Sequence, residues 1–174
     1  DFEFRVSDGI EGALCQRVDV DHPDLFSSTI SQSDSILLRF TEPRALKEIE
    51  GEMISWRWLL TLLMGRPVAE TRLSVKNENS AYDRSHDVFF NPGRSYAYPK
   101  NLTDFQMTCP FAEVHDGFEE FVTKWQAVRL KYPAVLQRFF STQFKHGLYT
   151  NEEFLFLAHA VEAFWRADNG DGPT

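Results

Sequence analysis

The chain has 174 residues, enough for one domain with its own core; 43% are hydrophobic and 14% aromatic, which excludes wholesale disorder. Lys and Arg number 18 against 26 Asp and Glu, a net charge of −8, so the surface repels phosphate backbones and direct nucleic-acid binding by this piece is disfavoured. The most apolar stretch, Trp56 to Met64, contains Arg57 and is far too short to span a bilayer.

Taken in chain order, the first forty residues alternate. Phe2, Phe4 and Val6 share one face if extended, as do Val18 and Val20, and Ile36, Leu37, Leu38 and Phe40 form a further apolar run. Three short strands are expected, separated by turns at Ser7-Asp8-Gly9 and His22-Pro23-Asp24. Thr41-Glu42-Pro43 then has the chemistry of a cap and first helical turn. Leu46, Ile49, Met53, Trp56, Leu60, Leu63 and Met64 follow at helical spacing, up to Gly65 and Pro67. Gly51 is the weak point at which that helix can kink or restart. Val68 to Val75 alternates again and reads as a strand; Lys76 to Ser85 reads as a turn, and Asp87 to Phe90 as a short strand. Arg94 to Glu113 has no periodicity, with Pro99 and Pro110 as breakers, and is expected to be a long surface loop.

The last third is helical in pattern. Phe118, Phe121, Val122, Trp125 and Val128 make one stripe, and Tyr132-Pro133 ends that helix and starts the next, over Ala134 to Phe140. Thr150 or Asn151 caps a final helix, with Glu152 and Glu153 at the positive end of its dipole. Its apolar residues are Phe154, Leu157, Ala158, Val161, Phe164 and Trp165. Residues 169–174 should be a loose tail. The fold class is therefore α+β, with short, mainly antiparallel strands in the N-terminal half and a helical C-terminal third. One domain over 1–174 is expected, strand-rich with one long helix over 1–115 and helical over 116–168.

Two cysteines, Cys15 and Cys109, cannot make a disulfide framework, and two unrelated reduced thiols are expected, although a single bridge stays open. The opening Asp1-Phe2-Glu3 lacks a basic start and an apolar run, so a cytoplasmic chain is expected, and the absent initiator Met points to a piece of something longer.

Candidate chemistry is sparse. Cys109, Glu113, His115 and Asp116 lie close in sequence, but no paired CxxC or HxxxH spacing accompanies them, and no metal or cofactor is expected. His159 and Glu162, three apart on the last helix, can meet on one face as an imidazole and its orienting carboxylate, although a helix-surface hydrogen bond is the simpler reading. Arg94, Tyr96 and Tyr98 can form a small stacking platform for a base or sugar, or anchor their loop onto the core. Asn91-Pro92-Gly93-Arg94-Ser95 lacks the ending of a phosphate loop, and there is no nucleophile elbow. The ligand-binding candidates are thus Arg94, Tyr96, Tyr98, His115, His159 and Glu162, and no catalytic residue is assigned.

The order of segments carries a resemblance. A helix ending Trp56-Arg57-Trp58-Leu59-Leu60-Thr61-Leu62-Leu63-Met64-Gly65-Arg66-Pro67-Val68 leads into a strand. It is followed by the aromatic helix Phe118 to Trp125, by Tyr132 and Phe139-Phe140-Ser141, and by Glu153 to Arg166, which closes on Ala160-Val161-Glu162-Ala163-Phe164-Trp165-Arg166. Over about residues 36–166 this resembles the N-terminal domain of ApeA-type bacterial abortive-infection proteins, in which the domain precedes a HEPN-type helical ribonuclease domain.

The resemblance implies that ribonuclease chemistry lies outside this chain. HEPN nucleases use an Arg followed four to six residues later by a His on a helix. Only Arg17 and His22 have that spacing, in strand-like sequence ending at Pro23 and interrupted by Asp19 and Asp21, and Arg138 and His146 stand too far apart. What is expected is a sensing or regulatory module, possessing no chemistry of its own. Its partner would be a C-terminal effector domain of the same protein or another protein, with self-association open. The other reading is a small-ligand or enzymatic domain using the 94–115 loop.

Overall fold

The computed structural model describes residues 2–21, 29–70, 72–76, 85–88, 107–144 and 150–170, with side chains described for all of these except 18–21 and 29–33. Antiparallel strands occupy the N-terminal half and helices the C-terminal part, so the fold is α+β. The chain divides into two compact units, Asp1–Arg44 with Gly117–Gln126, and Ala45–Asp116 with Ala127–Thr174.

The first unit is built on three antiparallel strands in the order β1-β2-β3: β1 is Phe2–Ser7, β2 is Ile10–Asp21 and β3 is Thr29–Phe40. The Asp8-Gly9 turn joins β1 to β2, and the register slips by one residue between Arg5 and Ser7, a bulge beside a tight turn. β1 covers only Ile10 to Leu14 of β2, whereas β2 and β3 pair along their whole length, from Ile10↔Phe40 to Asp21↔Thr29. The strands beyond the first are thus longer than the alternation predicts. The turn expected at His22-Pro23-Asp24 lies outside the described residues.

Phe4 faces Gly12 across the β1–β2 pair, and a Cβ at position 12 would run into the Phe4 ring. Glycine there lets the aromatic lie flat over the neighbouring backbone, which covers a strand position that has no side chain of its own. The other side of Phe4 meets the start of helix α3 (Phe118–Lys131), where Phe118 lies edge-on to it at 5.0 Å and edge-on to Phe2 at 5.8 Å. Phe4, Val6, Ile10, Ala13, Phe118, Val122 and Trp125 are all buried, and the larger of these side chains contribute roughly 1.5–3 kcal/mol each through removal from water.

Thr41 belongs to this unit and does not cap the following helix. Its N–H donates to the Gly9 carbonyl at 3.0 Å, and its hydroxyl reaches the same oxygen at 3.4 Å, so the sheet corner claims the groups that a cap would use.

In the second unit, α1 (Leu46–Met64) starts instead at Ala45, whose N–H is taken by the Glu48 carboxylate at 3.0 Å. It runs through Gly51 as one helix and ends at Gly65 in the left-handed conformation, φ 66°. A side chain at 65 would also strike the Thr108 hydroxyl, because the 107–110 segment docks there through the Cys109 N–H, 3.0 Å from the Leu63 carbonyl.

The strand expected over Val68 to Val75 is short. Among the described residues the ladder is β4 (Ser74–Lys76) with β5 (Ser85–Asp87), extended by the Val88 N–H on the Leu73 carbonyl at 2.9 Å. Val68 donates its N–H to the Thr61 hydroxyl at 3.2 Å, and Glu70 accepts Arg57 Nε at 2.8 and 2.9 Å, so α1 captures the segment before it can join a ladder. Phe89 and Phe90 lie outside the described residues.

The end of the expected 94–113 loop is ordered as α2 (Phe111–Val114) and a 3-10 turn over His115–Gly117. Helices α4 (Pro133–Phe144) and α5 (Thr150–Asn169) complete the unit. Trp58 stacks on Phe140 at 4.9 Å with the planes 4° apart, and Arg129 pairs with Glu52 at 2.7 Å. Among the described residues no helix is long and apolar enough to cross a membrane.

Candidate functional site

Of the six predicted ligand-binding residues, Arg94, Tyr96 and Tyr98 lie outside the described residues. His115 sits on the 3-10 turn, its ring edge-on to Phe111 at 5.4 Å and its Nδ1 3.0 Å from the Asp116 carboxylate. That side chain is half-exposed and Asp116 fully so, which leaves the imidazole accessible with a carboxylate beside one nitrogen. Cys109 is bound into the structure through its backbone, with its sulfur 4.0 Å from the Pro110 carbonyl oxygen. Cys15 and Cys109 are both free thiols. Among the described residues, no three His, Cys, Asp or Glu side chains converge as metal ligands.

His159 and Glu162 both lie on exposed parts of α5. Glu162 accepts a hydrogen bond from Arg166 at 2.6 Å, one turn further on, and no His159–Glu162 hydrogen bond forms among the described residues. A full positive charge four residues away outcompetes an imidazole three residues away. Arg17, the one cation with the spacing of a HEPN pair, lies on strand β2, and a pair acting from one helix cannot be built there.

Several charged groups elsewhere are joined in ion pairs. Arg57 and Glu70 are three-quarters or more buried and meet at 2.6 Å; Arg72 holds Asp87 through two 2.9 Å bonds. Near the end of α5, Asp168 accepts from the Tyr132 hydroxyl at 2.7 Å and from Lys131 at 2.9 Å. The Tyr132 bond first, and Lys131 second, hold the Asp168 carboxyl below its ordinary range. Lys131 is raised in turn, by Tyr132 and then by Asp168.

The feature that sequence reasoning misread is α5 itself. Its apolar residues read as one packed stripe, yet only Ala160 is buried, while the Phe164 ring meets Tyr132 at 5.0 Å. Phe154, Val161 and Trp165 are 68%, 69% and 58% exposed. They form, with Leu157, Ala158 and Glu162, an open apolar surface along the helix. The signal was present in the spacing: Phe154, Ala158, Val161 and Trp165 recur at intervals of four, three and four, which is a second seam beside the packed one.

The described residues are those of an α+β fold with exposed aromatic side chains along α5. The chain belongs to the ApeA N-terminal domain 1 family, whose model matches residues 10–125, more than half of the 174 residues. The match takes in β2, β3, α1 and the first part of α3. The Glu153 to Arg166 pattern, on which the resemblance leans most, lies beyond it. No curated protein and no solved structure gives a match.

Proposed function

We propose that this chain is a sensing or regulatory module of a larger bacterial anti-phage protein of the abortive-infection kind. In this reading it makes contacts and leaves RNA cleavage to an effector domain in another part of the protein. The observation that carries the reading is the family match over residues 10–125. Two physical features support it. The net charge of −8 opposes RNA binding, and cations such as Arg57, Arg72 and Arg129 are already paired with carboxylates. The exposed apolar length of α5 is suited to protein contact.

The test compares the complete protein with a version lacking this domain, scoring RNA cleavage and growth arrest during phage infection. Loss of phage-dependent control is expected, with cleavage chemistry remaining in the effector part. The purified 174-residue chain should leave RNA intact. RNA cleavage by that chain, abolished by His22→Ala, would overturn the reading.

A further inference from the structure

The side of α5 that does pack is thin. Of its 20 residues Ala160 is buried, Leu157 and Ala163 are half-buried and the others exposed. Helix α1, with 19 residues, buries Ser55, Trp56, Leu59 and Thr61. A helix with so few buried apolar side chains gains little from removal from water, and such elements open at a lower free energy than the domain as a whole.

The inward stripe of Leu157, Ala160 and Phe164 ends on a charge. Position 168, where the stripe would continue, is an aspartate. Its carboxylate accepts from the Tyr132 hydroxyl at 2.7 Å and from Lys131 Nζ at 2.9 Å. The Phe164 ring lies 5.0 Å from that of Tyr132, which is only 8% exposed. A negative charge in the last turn opposes the helix dipole, so Asp168 would destabilise α5 standing alone. Docked, the same charge is met by two donors. The turn is closed independently of the docking, by Asn169 Nδ2 on the Trp165 carbonyl at 2.8 Å and by Gly170 at φ 84°.

We propose that α5 is a strap. It lifts from the Lys131–Tyr132 corner as one unit while α1 stays folded, and the Tyr132–Asp168–Lys131 cluster is the latch that sets how often it lifts. The carboxylate favours α5 only in the docked state, so breaking the latch weakens docking and leaves the rest of the unit alone. Lifting brings the Tyr132 ring into water. A lone helix of this length is marginal in water, so the α5 amides then exchange together. The strap is a property of this chain by itself, so its failure would leave the regulatory reading in place, and failure of that reading would leave the strap.

Native-state hydrogen exchange on the 174-residue chain tests it. Amides from Leu157 to Asp168 should share a protection factor at least about tenfold below that of Trp56 and Leu59 in α1. Tyr132→Phe keeps the ring and loses the hydroxyl. It should lower the α5 value roughly three- to tenfold with the α1 value unchanged, and Asp168→Ala should lower it by at least as much. Ala160→Asp puts an unpaired charge into the seam and should leave α5 unprotected while α1 remains protected. The proposal is overturned if α5 exchanges only together with α1, if the latch variants lower both helices equally or neither, or if Ala160→Asp unfolds α1 as well.

Discussion

Helices α1 and α5 are nearly the same length, 19 and 20 residues, and both are rich in Leu, Phe or Trp, yet the structure treats them in opposite ways. α1 buries Trp56 and Leu59, lays Trp58 on Phe140, and takes Arg57 into a largely buried ion pair. α5 buries Ala160 and leaves most of its bulky side chains in water. Apolar content at helical spacing therefore establishes that a helix wants a partner, and says nothing of whether the partner lies in the same chain. α1 is a core element. α5 is half core and half surface on offer.

Substitutions can break this contrast. Leu59→Ala, at 1% exposure, should cost about 2–5 kcal/mol in denaturant unfolding, through lost burial and the cavity left behind. Val161→Ala on α5 should change monomer stability by less than about 0.5 kcal/mol. A similar cost for both would mean that α5 is a core helix after all. The ion pairs sharpen the same point at smaller scale. Glu70→Gln strands the Arg57 guanidinium away from water and should cost about 1–3 kcal/mol, whereas Glu162→Gln on α5 should cost about 0.3–0.5 kcal/mol.

Gly51→Ala tests α1 from the other direction. Nothing lies within 4 Å of a Cβ there, so the change should stabilise by about 0.5–1 kcal/mol by removing backbone freedom from the unfolded chain. The smallest effect concerns the end of α5 and depends on pH. Asp168 titrates below its ordinary 3.8, so its contribution is complete above that value and disappears as pH falls through the lower folded value. Lys131 sets the opposite limit: its contribution is complete below 10.5 and disappears as pH rises through the higher folded value. Amide protection factors in the last turn of α5, taken against the intrinsic exchange rate at each pH, should fall at both extremes, and Tyr132→Phe should flatten the acid side.

Much of this architecture was legible in the residues. The end of α1 at Gly65, the β1–β2 turn at Asp8-Gly9 and the α3–α4 break at Tyr132-Pro133 follow from local chemistry that no tertiary contact overrides. The misreadings occur where a distant group intervenes. Thr41 has the side chain of a cap and spends it on Gly9, 32 residues back, while Val68 to Glu70 alternates like a strand until Thr61 and Arg57 seize it. The candidate site was less legible. Spacing alone allowed His159 to meet Glu162, and only the structure shows Arg166 taking that carboxylate. Periodicity listed the apolar residues of α5 without revealing that Phe154, Val161 and Trp165 stay exposed.

The unequal strands of the first unit have a consequence of their own. β1 stops opposite Leu14, while β2 continues to Asp21 with β3 on one side and, among the described residues, no strand on the other. Along Cys15 to Asp21, alternate peptide N–H groups either bond to β3 or point away from it. Deuterium uptake there should step up and down residue by residue, and anything that settles on the free margin would erase the fast half of the pattern and leave the slow half as it was.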